Sequence, residues 1–158
     1  LIQLIYIFDS YHKVAITDFL QFIKRACHGV RNMKFGISGS TAKSIKKPWG
    51  SEEWLELNDH YCYKIININS GYRTSLQYHQ RKVETLLIKR GEAKVLIGDE
   101  WFDMSEGDYF TIHPETQHRI LAKTDLELLE VSTPEVDDVI RVEDDSNRPS
   151  GKIDSEHR

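Results

Sequence analysis

From Trp49 onward the chain repeats one pattern: short runs in which apolar and polar residues alternate, cut by Gly, Asp, Asn, Glu and Pro. A period of two puts successive side chains on opposite faces of a strand, so each run reads as a half-buried β-strand. The runs lie near 53–57, 61–68, 73–79, 84–90, 93–98, 100–104, 108–113, 117–122 and 126–132. Turn chemistry separates them, at Asn58-Asp59, Asn69-Ser70-Gly71, Arg90-Gly91, Gly98-Asp99, Glu106-Gly107, Pro114-Glu115 and Lys123-Thr124-Asp125. The helices that a parallel sheet needs between its strands are missing. Eight or nine short strands at such even spacing predict an all-β domain, a closed antiparallel jelly roll or small β-barrel.

The two ends follow other patterns. Val14, Ile16, Phe19, Leu20, Phe22, Ile23 and Ala26 recur at helical spacing, with Thr17 and Asp18 near the start and Gly29 as a stop. Residues 36–44 have the composition of a linker. A short helical N-terminal extension and linker is therefore expected over 1–45, ahead of a β domain over 46–145. After Pro134 the chain turns acidic, with Val136, Val139, Ile140 and Val142 interleaved, and that part is expected to pack back on the barrel. Residues 146–158 read as a polar, mobile tail.

Length and charge narrow the function. With 158 residues there is room for one domain with a real core. The formal net charge is −4, and no basic, aromatic-interleaved stripe offsets it, which argues against nucleic acid as the main partner. Cys27 and Cys62 form neither a CxxC pair nor a disulfide framework and read as reduced thiols. Leu1–Phe8 is apolar but only eight residues long, so neither a membrane span nor a secretory leader is expected, and the cytoplasm is the expected location.

The candidate chemistry lies between Gly71 and Gly91, with one residue further on. Gln77 and His79 are two apart and share a face, and Glu84 sits in the next run, where a tight turn through Gln80, Arg81 and Lys82 would lay it beside them. His118 begins a later strand. Taken singly, each has a plainer reading: a strand His in the core or on the surface, a solvated Glu, an unremarked Gln. Taken together, two imidazoles, a carboxylate and an amide inside a barrel would be costly to bury without a partner. A divalent cation offsets that cost, and ligand type alone leaves zinc, manganese, iron, cobalt and nickel open.

These residues also carry a family resemblance. Gly71-x5-Gln77-x-His79-x4-Glu84-x6-Gly91 is similar to the first cupin motif, with Gln in place of the first His. Gly107-x5-His113-Pro114-Glu115-Thr116-Gln117-His118 resembles the second, with His113 and Glu115 at the family's Pro and Gly positions. Lys47-Pro48-Trp49-Gly50, Ser75-Leu76-Gln77-Tyr78-His79, His118-Arg119-Ile120 and Asp137-Asp138-Val139-Ile140-Arg141 resemble the C-terminal domain of type II mannose-6-phosphate isomerases, in order along the chain. Gln80-Arg81-Lys82-Val83-Glu84-Thr85-Leu86 departs from that family, which has a His-Arg-Ala-Glu-His-Trp-like stretch here.

The resemblance implies a cupin holding one divalent ion, zinc first, on Gln77, His79, Glu84 and His118. It implies isomerisation of a sugar phosphate, mannose 6-phosphate to fructose 6-phosphate, through an enediolate stabilised by the metal. Arg119 and Lys64 would be catalytic, and Arg73, Lys82 and His113 would bind substrate. The proton-transferring base stays open between Lys64, His113 and a metal-bound hydroxide. A homodimer is expected by analogy with other cupins. The other reading is a non-catalytic cupin that binds a carbohydrate or nucleotide sugar through the same metal, or another cupin sugar isomerase.

Overall fold

A computed structural model describes residues 42–154. Within them the chain forms eleven strands: β1 (Lys43–Lys47), β2 (Gly50–Leu57), β3 (Cys62–Ile68), β4 (Leu76–Tyr78), β5 (Glu84–Arg90), β6 (Glu92–Ile97), β7 (Glu100–Ser105), β8 (Tyr109–Ile112), β9 (His118–Ala122), β10 (Leu126–Ser132) and β11 (Ile140–Glu143). They make two antiparallel sheets, ordered β1-β2-β3-β10-β5-β8 and β11-β4-β9-β6-β7. The all-β expectation holds for these residues, and the strands from β2 to β10 lie close to the alternating runs. The helix expected over 14–26 and Cys27 lie outside the described residues.

Three expectations change. The β domain opens before residue 46: Lys43–Lys47 forms β1, whose buried side chain is Ile45 and whose partner is β2. The run 73–79 shortens to Leu76–Tyr78, because Thr74 bonds Ile120 through both its backbone and its hydroxyl, outside a regular ladder. Residues 146–151 are held rather than loose. Arg148 pairs with Asp144 at 2.7 Å, Gly151 N donates to Val139 O at 2.7 Å, and Arg141 donates to the carbonyls of Pro149 and Gly151.

The interior has a dry half and a wet half, and four strands cross between them. Along β3 the inward residues run Ile68, Ile66, Lys64; along β10, Leu126, Leu128, Glu130; along β5, Ile88, Leu86, Glu84; along β9, Ala122, Ile120, His118. The apolar members join Trp49, Ala93, Val95, Phe110 and Ile112 in one buried cluster. That cluster supplies the burial that holds the two sheets face to face, and it leaves the strand ends at the wet half rigidly placed.

The β1–β2 hairpin turns through Pro48-Trp49, and Gly50 follows at φ 153° with its Cα pressed on β3. A Cβ there would lie 2.0 Å from Asn67 O, a backbone atom with no room to yield. Gly50→Ala should therefore lower stability by about 1–3 kcal/mol, as overpacking does, read as a fall in the thermal unfolding midpoint.

Candidate metal centre

Four of the predicted residues meet at the wet end of the barrel. Gln77 on β4 is in register with His118 on β9. His79 follows β4, and Glu84 opens β5 after the turn at 80–82. His79, Glu84 and His118 are all buried, and their nearest ligand atoms lie within 4.8 Å of one another. Glu84 Oε1 is 3.1 Å from His118 Nε2 and 3.5 Å from His79 Nε2. The Gln77 amide nitrogen is 3.4 Å from His118 Nε2.

The far side of each ring decides what the near side offers. His79 Nδ1 faces Asp138 O, and His118 Nδ1 faces Thr116 O at 3.0 Å. A carbonyl only accepts, so each Nδ1 carries a proton and each ring turns Nε2 inward, toward Glu84 Oε1. Two imidazole nitrogens and a carboxylate oxygen then converge, and His79 Nε2 is buried without a hydrogen-bond partner. With the rings neutral these are three acceptors that a cation between them would satisfy, so the donor set fits a divalent ion. Gln77 can join through its oxygen if the amide turns over. Ser75 Oγ, which donates to Gln77 Oε1 at 2.7 Å, would then accept from the amide nitrogen instead.

Around this centre runs a buried chain of alternating charge. Lys82 Nζ bridges Glu84 Oε2 and Glu130 Oε1, the latter at 2.8 Å. Lys64 Nζ lies 3.7 Å from Glu130 and 3.5 Å from Glu52, and Lys47 Nζ lies 3.6 Å from Glu52. Trp54 donates its indole N–H to Glu52 at 2.9 Å and carries the Lys64 ammonium 4.8 Å above its ring. Three lysines thus balance three glutamates. Burial by itself would raise the Glu84 carboxyl, but Lys82 and then the two imidazoles hold it well below its usual range. Burial would likewise raise Glu52, but Lys64 and Lys47 bring it down to about 2. For Lys64, burial is outweighed by Glu130 and Glu52, so the ammonium stays protonated above the ordinary lysine range.

The centre opens into a cavity of about 80 Å³. Its walls include Trp54, Lys64 and Glu130, and Arg141, Arg148 and Lys152 also line it, from the segment that follows β10. Other predicted residues lie elsewhere. Arg119 alternates with His118 and so faces away from it, where it donates to Thr74 O at 3.0 Å and Glu143 O at 3.2 Å. Arg73 is held at the surface by Asp145, with bonds of 2.7 and 2.8 Å. His113 is exposed and does not line the cavity. Lys82 lines it but is committed to two carboxylates. Three functional neighbours, Glu52, Glu130 and Asp138, are not singled out by motif or spacing. Glu130 was open to detection, since it occupies an inward position of an otherwise apolar alternation. Asp138 acts on His79 through a carbonyl, which no residue type announces.

The turn before His118 holds its departure from the second motif at a backbone cost. Glu115, at the position where cupins carry Gly, has φ 63°, the left-handed conformation that glycine adopts most easily. Its N–H donates to His79 O at 2.7 Å and so ties this turn to the other ligand strand.

Comparison with known proteins agrees with this geometry. The family model described as mannose-6-phosphate isomerase C-terminal matches residues 38–144. The xanthan biosynthesis protein XanB of Xanthomonas campestris pv. campestris (strain B100) is 30% identical over 141 residues, covering 85% of this chain and 30% of that protein. The alginate biosynthesis protein AlgA of Pseudomonas aeruginosa is 30% identical over 105 residues, 63% of this chain and 22% of that one. A mannose-1-phosphate guanylyltransferase of Salmonella muenchen is 30% identical over 104 residues, 63% and 22%. The chain thus spans less than a third of these relatives. Among solved structures, an RmlC-like cupin from Shewanella frigidimarina superposes with a TM-score of 0.58 at 18% identity, over 68% of this chain and 94% of that one. KdgF from Halomonas gives 0.56 at 18%, over 61% and 89%. The likeness to the first of these shows the cupin fold.

Two measurements check this account. The Glu52 carboxyl is lowered on folding, so its contribution to stability is complete above its ordinary value of 4.5 and is lost as the pH falls towards 2. The amount is on the order of 3 kcal/mol. Urea unfolding across that range should show this slope in the native protein and a flatter, lower profile in Glu52→Gln. Glu115→Gly should raise the unfolding free energy by about 1 kcal/mol, because it relieves a left-handed non-glycine residue.

Proposed function

The chain belongs to the family of mannose-6-phosphate isomerase C-terminal domains, and from that we propose that it is a metal-dependent sugar-phosphate isomerase interconverting mannose 6-phosphate and fructose 6-phosphate. The observation that carries this reading is the buried meeting of His79, Glu84 and His118, whose ligand atoms lie within 4.8 Å of one another. These three, with Gln77 turned over, would hold one divalent ion, zinc first. Such an ion, when bound, supplies Lewis acidity toward a carbonyl oxygen without changing oxidation state, which is what an aldose–ketose isomerisation asks for.

The chain's own groups do the rest. Gln77 brings no charge to the centre. The Lys–Glu chain beside it is neutral as a whole, so a bound dication keeps its full charge for the substrate. Lys64 lines the cavity and is held protonated. It serves as a hydrogen-bond donor to a developing oxyanion rather than as a base. Arg141, Arg148 and Lys152 bring positive charge to one side of the cavity, with Arg148 paired to Asp144 and Asp137 beside them. They suit the phosphate end of the substrate better than Arg73 or His113, which lie off it.

Metal analysis of the purified protein should find about one divalent ion per chain. His79→Ala should lose it. A coupled assay should follow formation of fructose 6-phosphate from mannose 6-phosphate, and Glu84→Gln should lower the rate more than about a hundredfold. Metal retained with no turnover of any hexose or pentose phosphate would favour a sugar-binding role for the same centre. That reading draws on the relatives named for guanylyl transfer rather than isomerisation.

A further inference from the structure

The two oxygens of Glu84 have different partners. Oε1 faces the two imidazoles, at 3.1 and 3.5 Å, and Oε2 is taken by Lys82. Lys82 itself is 3% exposed, and its second partner is Glu130 at 2.8 Å. The backbone holds it there from outside: Asp138 accepts the N–H groups of Gln80, Arg81 and Lys82 at 3.1, 2.7 and 3.0 Å. The same residue's carbonyl faces His79 Nδ1. One loop residue thus fixes both a ligand ring and the lysine that grips a ligand carboxylate.

We propose that Lys82 is a positioning residue that keeps Glu84 a one-oxygen ligand and so leaves a coordination position open for a substrate oxygen. The inference rests on the metal reading above. For Glu84 to bind an ion through both oxygens, Oε2 would have to leave Lys82. That would strip a fully buried ammonium of its nearest counter-charge, a change of the kind that is strongly destabilising in protein interiors. A bound ion would then have His79, His118, one oxygen of Glu84 and Gln77 as its protein ligands. Lys82 lines the cavity, but its ammonium is taken by Glu84 and Glu130. Its effect passes through Glu84, as outer partners of metal ligands commonly act.

The test loads the full chain with cobalt(II) and reads the visible d–d spectrum and the metal X-ray absorption. A carboxylate bound through both oxygens brings its carbon closer to the metal and adds one ligand. Lys82→Met should bind cobalt with this shorter metal–carbon path and a weaker, higher-coordinate visible band. Lys82→Arg, which can donate to both carboxylates, should restore the native spectra. Because Lys82→Met alone leaves Glu130 short of a partner and could fail to fold, Lys82→Met/Glu130→Gln removes one charge of each sign and should show the same shift. Cobalt bound with unchanged spectra in these variants would overturn the role of Lys82 while leaving the metal centre intact. Loss of cobalt from the charge-balanced variant would overturn it too, since Lys82 would then be needed for binding itself. Failure of the unaltered protein to take up cobalt would instead sink the metal reading on which this one stands.

Discussion

A row of buried charges inside a β-barrel is tolerable only if each finds an opposite neighbour, and that constraint organises this molecule. Lys47, Glu52, Lys64, Glu130, Lys82 and Glu84 alternate in sign from the first hairpin to the candidate metal centre. Such pairs add little net stability over an apolar core of the same shape, but removing one member strands its neighbours. They also specify register. Glu130 stands directly opposite Lys64 across the β10–β3 ladder. A slip of β10 by one residue would turn Glu130 out of the interior and leave Lys64 without it.

The dry half of the barrel makes the wet half exact in space. On β3, β5, β9 and β10 the charged or ligand residue is anchored by apolar residues two and four positions away, as in Ile88-Leu86-Glu84 and Ala122-Ile120-His118. Ligands carried on strands so anchored are held more precisely than ligands on free loops. The segment after β10 finishes the centre. It crosses back over the wet end, supplies Asp138 to the His79 ring and to the 80–82 turn, and returns as β11 beside β4. Arg119, facing away from the centre, secures that segment through the backbone of Glu143. Its place beside a ligand in the chain is a matter of fastening rather than of chemistry.

Much of the strand plan could be read from the alternation of residue types, because a half-buried strand must alternate. β1 could not, since a single inward Ile45 makes no pattern. β11 could not, since four residues in an acidic stretch are too few to show a period. The pairing of Gln77 with His79 was legible as an i, i+2 relation, and Glu84 and His118 became legible through their likeness to cupin motifs. The substrate-facing cations were the least legible. A lysine or arginine is long enough to serve either a solvated face or a cavity, and spacing does not say which. Lys64 faces the cavity, Arg73 and His113 do not, and Lys82 is spent on two carboxylates.

The sequence by itself determined that this chain makes short antiparallel strands, which side chains share a face, and that imidazole, carboxylate and amide are available at cupin spacing. Those facts are local: they depend on period, turn chemistry and residue type. Only the tertiary structure decided which nitrogen of each imidazole faces the centre, which oxygen of Glu84 is already engaged, and which cations face inward. Some of these are settled by distant partners, Asp138 against His79 and Glu143 against Arg119, 59 and 24 residues away; others by Thr116 and Lys82, each two residues from its partner, whose directions residue type does not give. A hydrogen bond to a distant backbone carbonyl leaves no mark on the identity of the residue that provides it.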